Sequence, residues 1–364
     1  MRIGSILNTL ELVPAILADI PPESQLFSKL NWKNRSILKA LAFVEKRRKN
    51  SRLTDQLSKL RAAGAEHIEL SPDLMELSPE VFTWWINQLK TLLQFKRSGF
   101  TYSLHIMQFL GTQPDSPVEV IRRASVESIR EMVEAFQCLD PIAYPLHIVS
   151  GKFFNYLDFH ALDPLLDKEL ASRFHNGFGW KLVKMAAGRS TVRFAVDFIR
   201  DIITEGVAVE NVLKSLREME SFVPLSKIGI ENLEHHNLDT FEQIARPILK
   251  ETDASIVLDT GHLAMRSWRD DKKCFHKFIE RYGPRIIEVH AHDVVPVASI
   301  SYGSKRQEVV FQDHKPVGSG ILNFKEILKL LKDNCHEDLL VVVEDYYHDP
   351  VPSIKRISQL LQEI

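Results

Sequence analysis

Histidine and acidic residues that could bind a metal ion recur at the ends of apolar runs in the sequence. They are His105, His147, Glu231, Asp259, His290, His292 and Glu344, with His262 and His314 in the loops that follow. Imidazole nitrogens together with carboxylate oxygens form a ligand set suited to zinc or manganese. Carboxylates gathered in a partly buried site repel one another unless a cation neutralises them. The residue types therefore predict a divalent metal site, provided that the fold brings the ends of these runs together.

Eight short runs rich in Val, Ile and Leu are the elements that would position these residues. The runs span 3–7, 67–70, 102–106, 144–150, 227–232, 255–260, 285–292 and 339–345. They lack polar alternation, which is typical of strands buried on both faces of a parallel sheet. Amphipathic helical patterns lie at 53–65, 116–139 and 323–335. Eight strands alternating with helices predict an α/β fold, a (β/α)8 TIM barrel, with a doubly wound sheet as the competing architecture.

Two connections are longer than an ordinary βα unit. We expect insertions at residues 8–52, after strand 1, and at residues 151–215, after strand 4, on a single domain spanning residues 1–364. Insertions after barrel strands build the rim of the mouth, where active sites of this architecture lie. The aromatic-rich stretch 152–181 is therefore a candidate lid. Asn323, followed three residues later by Glu326, predicts a helix start.

Composition excludes several classes of protein. Among 364 residues, 45% are hydrophobic and 26% are charged, which is ordinary for a globular protein with a large core. Lys and Arg number 46 against 48 Asp and Glu, so the whole chain has no basic signature for nucleic acid. Its three cysteines, Cys138, Cys274 and Cys335, lie far apart and predict neither a zinc knuckle nor a disulfide framework. No run approaches the roughly 20 apolar residues that span a bilayer, so we expect a cytoplasmic protein without a membrane partner.

The order of these motifs resembles the xylose isomerase-like barrel superfamily, which contains endonuclease IV-type phosphodiesterases and many sugar isomerases and epimerases. The resemblance rests on the stretches PLHIVSG, IGIENLEHH, IVLDTGHLAM, IEVHAHD, DHKPVGSG and VVVED, and it extends from about residue 53 to the C-terminus. It implies a set of metal ligands comprising His105, His147, Glu231, Asp259, His262, His290, His314 and Glu344.

Two positions depart from the pattern of that superfamily. His292 stands where Asn is usual, and Gln312 stands where Asp is usual, with Asp313 displaced by one position. The family's third metal ion is held partly by that Asp. We therefore expect two or three zinc or manganese ions, and a single ion is the alternative.

Two reactions are compatible with this set of residues. In a phosphodiester hydrolase, Glu231 would bridge two metal ions and, with Asp259, position the attacking water. In a sugar or sugar phosphate isomerase or epimerase, Glu231 and Glu344 would transfer protons beside one metal ion. We favour hydrolysis, with catalytic roles for Glu231, Asp259 and Glu344, because a one-metal isomerase does not need His105 and His147 as ligands.

The substrate is expected to be a small molecule. Lys305 and Arg306 are candidates for contacting a phosphate or another anionic group, and Asn232 and His292 are candidates for binding substrate beside the metal. DNA is a weaker alternative, since the stretch after His105 lacks the Tyr-Leu wedge of the DNA-cleaving members. A barrel that serves only as a binding module is the remaining alternative, and the complete set of metal-type residues argues against it. The sequence predicts no oligomeric state.

Overall fold

Eight parallel strands form the centre of the chain in a computed structural model. The structure describes residues 1–8, 53–72, 79–106, 114–116, 119–148, 208–233, 236–265, 273–302, 306–345 and 348–364. The eight strands are β1 (Arg2–Asn8), β2 (His67–Ser71), β3 (Thr101–Leu104), β4 (Tyr144–Leu146), β5 (Ile228–Glu231), β6 (Ser255–Asp259), β7 (Ile286–Ala291) and β10 (Leu340–Val343). The eight strands coincide with the eight apolar runs of the sequence. They do so because Val, Ile and Leu side chains are buried on both faces of the sheet.

The strands close into a barrel. Their order is β3-β2-β1-β10-β7-β6-β5-β4, and every neighbouring pair is parallel. Two isolated parallel bridges, Ser103–Ala143 and Ile106–Leu146, join the region of β3 to that of β4. The prediction of a (β/α)8 TIM barrel is confirmed, and the doubly wound alternative is wrong because an open sheet would leave β3 and β4 as separate edges.

Helices surround the barrel. They are α1 (Leu53–Ala62), α2 (Pro79–Arg97), α3 (Glu119–Phe136), α4 (Ala208–Met219), α5 (Leu238–Glu251), α6 (Thr260–Leu263), α7 (Cys274–Tyr282), α8 (Phe324–Asn334) and α9 (Val351–Glu363). The predicted helices at 53–65, 116–139 and 323–335 are confirmed as α1, α3 and α8. The Asn323 side chain accepts a hydrogen bond from the Glu326 amide and so caps α8. Within the described residues, no helix is long and apolar enough to cross a membrane.

A β-hairpin interrupts the barrel pattern between β7 and α8. Its antiparallel strands are β8 (Asp293–Tyr302) and β9 (Arg306–Lys315). The loop expected between His292 and His314 is wrong here; Pro296 interrupts the strand pattern of the sequence and hides β8. The hairpin leaves the mouth at Asp293 and returns to it at Lys315, since these two residues are paired. It therefore carries His314 back to the carboxyl ends of the strands.

Most of the two predicted insertions lies outside the described residues. Residues 9–52 and 151–207, which include the candidate lid at 152–181, are outside the described part of the chain. Asn8 ends β1, and residues 208–215 belong to α4.

Candidate metal centre

The predicted metal-ligating side chains converge at the carboxyl ends of the barrel strands. Glu231 and Asp259 are the last residues of β5 and β6, His290 lies in β7, and Glu344 follows β10. The buried members of the set are His105, His147, Glu231, Asp259, His262, His290 and Glu344, and His292, predicted to bind substrate, is buried beside them. His314 is partly exposed, with 13% of its side-chain surface accessible. Parallel strands bring these positions together because they all end on one side of the barrel.

Three of these side chains form a first candidate ligand set. Nε2 of His105 lies 2.9 Å from Nε2 of His147 and 3.3 Å from Oε2 of Glu231. Nε2 of His147 lies 3.0 Å from the same Glu231 oxygen. Tetrahedral zinc with bonds of about 2.0–2.2 Å holds its ligands about 3.3–3.6 Å apart. The three atoms therefore have nearly the spacing that a single cation would require.

A second candidate set lies on the other side of Glu231. Nδ1 of His290 is 3.3 Å from Oε1 of Glu231, 3.7 Å from Oε2 of Glu344 and 4.0 Å from Oδ2 of Asp259. The two carboxylate oxygens of Glu231 thus face different groups of ligands. This arrangement suits a carboxylate that bridges two cations.

A third group consists of histidines only. Ligand atoms of His262, His292 and His314 lie within 4.8 Å of one another. The rings of His292 and His314 are stacked, with centroids 4.1 Å apart. The backbone of His314 has φ of 48°, in the left-handed region, where strain in a non-glycine residue is often associated with a functional site.

Asp259 is held in place by three neighbours. Its side chain accepts a hydrogen bond from the His262 amide at 2.6 Å and thereby caps α6, which positions His262. Nε2 of His292 lies 3.0 Å from its carboxylate. The Asn232 amide group bonds to the Asp259 backbone on both sides, donating to the carbonyl and accepting from the amide, each at 2.9 Å.

These contacts bear on the residues that we predicted to bind substrate. Asn232 and His292 are both fully buried, and their polar atoms bond to the protein, so we propose that they position Asp259 and the His314 backbone. Arg306 is the first residue of β9. Lys305 lies outside the described residues. The roles of these two residues stay predictions.

The sequence analysis missed Glu69, a buried carboxylate inside β2. Its Oε1 lies 2.9 Å from Nδ1 of His105, and its Oε2 lies 3.1 Å from Nε2 of His290. Glu288 of β7 is buried beside it and accepts a hydrogen bond from Ser103 at 3.1 Å. The sequence did contain a signal for Glu69, because a charged residue inside an apolar strand needs a buried partner. The sequence analysis missed it because it considered only the ends of the apolar runs.

Burial and mutual contact shift the pKa values of the centre. Burial opposes ionisation of Glu231, but the rings of His147 and His290 outweigh it and hold its pKa well below the ordinary value. Burial likewise disfavours the charged form of His290, but the facing carboxylates, Glu69 foremost, raise its pKa well above 6.5. Burial is the main cause that raises the pKa of Glu344 to about 7; the charges of Asp259 and Glu231 act in the same direction, and that of His290 opposes them.

The donor set fits a divalent cation. Among the described residues, Oε2 of Glu231 and Nδ1 of His290 are buried without a well-aligned hydrogen bond, although both face other candidate ligands. Buried polar atoms of this kind require a partner. Mixed imidazole nitrogen and carboxylate oxygen is a ligand chemistry that zinc and manganese accept.

The fold and this centre define a TIM barrel with a buried cluster of metal-type ligands at its mouth. The chain belongs to the xylose isomerase-like TIM barrel family, whose sequence model matches residues 169–364. A comparison with curated protein sequences finds no match.

Solved structures confirm the fold. A D-tagatose 3-epimerase-like protein shares 18% identity over 85% of this chain and 94% of its own, with a TM-score of 0.52. The IOLI protein with a bound zinc atom shares 14% identity over 86% and 93%, with a TM-score of 0.52. The 3-keto-D-glucoside 4-epimerase YcjR of E. coli shares 13% identity over the full length of both chains, with a TM-score of 0.51. At these identities the likeness establishes the architecture only.

Proposed function

We propose that this protein is a metal-dependent hydrolase of phosphodiester bonds in a small molecule, with two or three zinc or manganese ions at the barrel mouth. The observation that carries the proposal is the position of Glu231 between two ligand sets. Its Oε2 faces His105 and His147, and its Oε1 faces His290. A pair of bound cations supplies positive charge that stabilises both the attacking and the leaving oxygen in displacement at phosphorus.

The side chains have distinct roles in this proposal. His105, His147 and Glu231 hold one cation, while Glu231, Asp259, His290 and Glu344 hold the next. Asn232 and His292 fix the orientation of Asp259 through hydrogen bonds of 2.9–3.0 Å. His262 and His314 are the candidates for a third cation, since both ring nitrogens of His292 already bond to protein. Lys305 and Arg306 are the candidates for contacts with an anionic substrate group.

Isomerisation or epimerisation of a sugar is the second candidate function. The structural neighbours include two proteins described as an epimerase or epimerase-like. Glu231 and Glu344 lie on the same side of His290, at 3.3 and 3.7 Å from its Nδ1. With its pKa raised to about 7 by burial, Glu344 is suited to take up and release a proton near neutral pH.

Metal content and one substitution distinguish the two functions. The wild-type protein and the His105→Ala variant would be purified without added metal or chelator, and ions per chain would be measured by elemental analysis. Each protein would then be assayed on bis(p-nitrophenyl) phosphate and on a panel of ketoses. We expect two or three ions in the wild type, and a loss of phosphodiesterase turnover of about 100-fold or more in the variant.

His276→Ala is the matched control, because this histidine lies on α7 with a partly exposed side chain that faces Glu326 rather than the candidate ligands. It should retain both metal and activity. One ion per chain, with ketose turnover that survives His105→Ala, would contradict hydrolysis and support the second function. Absence of metal even after reloading would contradict both.

A further inference from the structure

Glu69 contacts one histidine from each of the first two ligand sets. Each of its oxygens faces a different ring: Oε1 lies 2.9 Å from Nδ1 of His105, and Oε2 lies 3.1 Å from Nε2 of His290. The carboxylate is fully buried, as are both rings. Glu69 therefore lies behind the two rings, on the side away from Glu231.

The ring nitrogens on the other side face the candidate cations. Nε2 of His105 points to His147 and Glu231, and Nδ1 of His290 points to Glu231, Glu344 and Asp259. An imidazole can bind a metal only through a nitrogen that carries no proton, so its single proton must lie on the opposite nitrogen. The two rings thus need opposite tautomers, with protons on Nδ1 of His105 and on Nε2 of His290.

We infer that Glu69 is a positioning residue that sets both tautomers and so prepares two metal positions at once. An ionised carboxylate accepts hydrogen bonds only, so both rings must turn a proton towards it. This inference rests on the proposed metal centre and adds to it a residue that does not itself touch the ions. Glu69 would support from behind the two positions that Glu231 bridges in front.

Replacing Glu69 with glutamine tests this role, because the glutamine side chain has nearly the same size and shape as that of glutamate. The amide keeps one accepting oxygen, but its nitrogen can only donate. One of the two rings must then present a bare nitrogen to residue 69 and carry its proton on the side of the metal, or lose the contact. We expect the dissociation constant for Co²⁺, followed by its visible absorption bands, to rise about 10- to 100-fold at the affected position.

Glu288→Gln is the matched control. It introduces the same amide in an equally buried residue beside Glu69, where burial and the Glu69 charge raise the pKa of the Glu288 carboxyl well above its ordinary value. Oε1 of Glu288 is 4.0 Å from Nε2 of His290, beyond hydrogen-bond range. A glutamine oxygen can still accept the Ser103 hydroxyl hydrogen bond of 3.1 Å. We expect the Co²⁺ dissociation constant of this variant to stay within about 3-fold of the wild type. Equal binding by Glu69→Gln and the wild type would overturn the inference.

Nitrogen NMR of the wild-type protein gives a second readout that does not depend on a variant's folding. In the zinc-loaded protein with ¹⁵N-labelled histidine, His105 should carry its proton on Nδ1 and His290 on Nε2. A proton-free nitrogen facing Glu69 would instead make Glu69 a ligand and overturn the positioning role.

A wild-type chain that binds metal but hydrolyses no phosphodiester would contradict the proposed function and leave this inference intact, whereas a chain that binds no metal would overturn both. In the zinc-loaded variants, the histidine ring signals give a further comparison. Glu69→Gln should shift the His105 and His290 signals, and Glu288→Gln should leave them in place. Unchanged signals in Glu69→Gln would contradict the inference by itself.

Discussion

Gly261 has no side chain because the His292 ring occupies the space where one would lie. A Cβ built on Gly261 would come within 2.0 Å of Cε1 and 2.3 Å of Nδ1 of His292. The ring needs this place, since it bonds to Asp259 at Nε2 and accepts the His314 amide at Nδ1, at 3.0 and 2.9 Å. His292 thus connects a candidate metal ligand to the end of the hairpin, and Gly261 makes that connection sterically possible.

Gly261→Ala should therefore displace His292. We expect overpacking to cost about 1–3 kcal/mol of unfolding free energy. Loss of the contact with Asp259 should weaken metal binding about 10-fold or more, as for other residues that orient ligands. Urea unfolding and metal titration measure the two effects.

A double-mutant cycle tests whether the effect passes through the ring. His292→Asn leaves room beside residue 261, and Asn is the residue usual at this position in the superfamily. In the Gly261→Ala/His292→Asn double variant, the alanine should lower the unfolding free energy and the metal affinity little beyond the effect of His292→Asn alone. Additive losses of unfolding free energy would show that Gly261 acts through something other than His292.

At the scale of elements, one carboxylate holds the loop that leads from β9 to α8. Oδ1 of Asp293 accepts the amides of Val294 and Leu322 at 2.9 and 3.1 Å, and Oδ2 accepts those of Gly318 and Gly320 at 3.1 and 2.9 Å. A Cβ on Gly320 would come within 2.2 Å of the Val294 carbonyl oxygen. Gly320 therefore allows the backbone to approach Asp293 closely, and Gly318 has φ of 87°, a conformation that favours glycine.

Asp293→Asn should loosen this loop. The asparagine nitrogen would face backbone amides that can only donate, so hydrogen bonds to a charged acceptor would be replaced by repulsion. We expect a loss of about 2–3 kcal/mol in the free energy of unfolding, measured with urea. Asp333→Asn, an exposed change on α8, is the control and should cost under about 0.5 kcal/mol. An equally small cost in Asp293→Asn would show that the loop is held by other contacts.

The sequence predicted the barrel and the convergence of its strand ends, because apolar runs and their order determine both. His105, Glu231 and Asp259 could be found in this way, since a residue's place at a strand end is visible in sequence. Their hydrogen-bond partners were not visible. Asn232 and His292 lie beside candidate ligands, but only the structure shows that their polar atoms bond to protein. Glu69 lies two residues before the end of its strand, so a search of the ends misses it.

At the scale of the whole molecule, the centre couples stability to pH. Burial disfavours the charged forms of His105 and His290, but the facing carboxylates, Glu69 foremost, outweigh it and raise the pKa of each ring well above the ordinary value. Such a group stabilises the folded chain fully below its unfolded pKa of about 6.5, and this contribution is lost as pH rises through the folded pKa. These groups should make the metal-free protein less stable at about pH 9 than at about pH 6.

Metal binding should add stability that increases with pH, opposite to the trend of the metal-free protein. The ions need proton-free nitrogens on His105 and His290, so binding competes with protons and strengthens as pH rises. At a free zinc concentration about 100 times the dissociation constant, one site adds about 2.7 kcal/mol of unfolding free energy. We expect the difference between zinc-loaded and metal-free protein to be larger at about pH 8 than at about pH 6, as measured by urea unfolding at fixed free zinc. A difference that shrinks as pH rises would contradict metal binding through His105 and His290, because an ion that displaces protons from these rings must bind more tightly at higher pH.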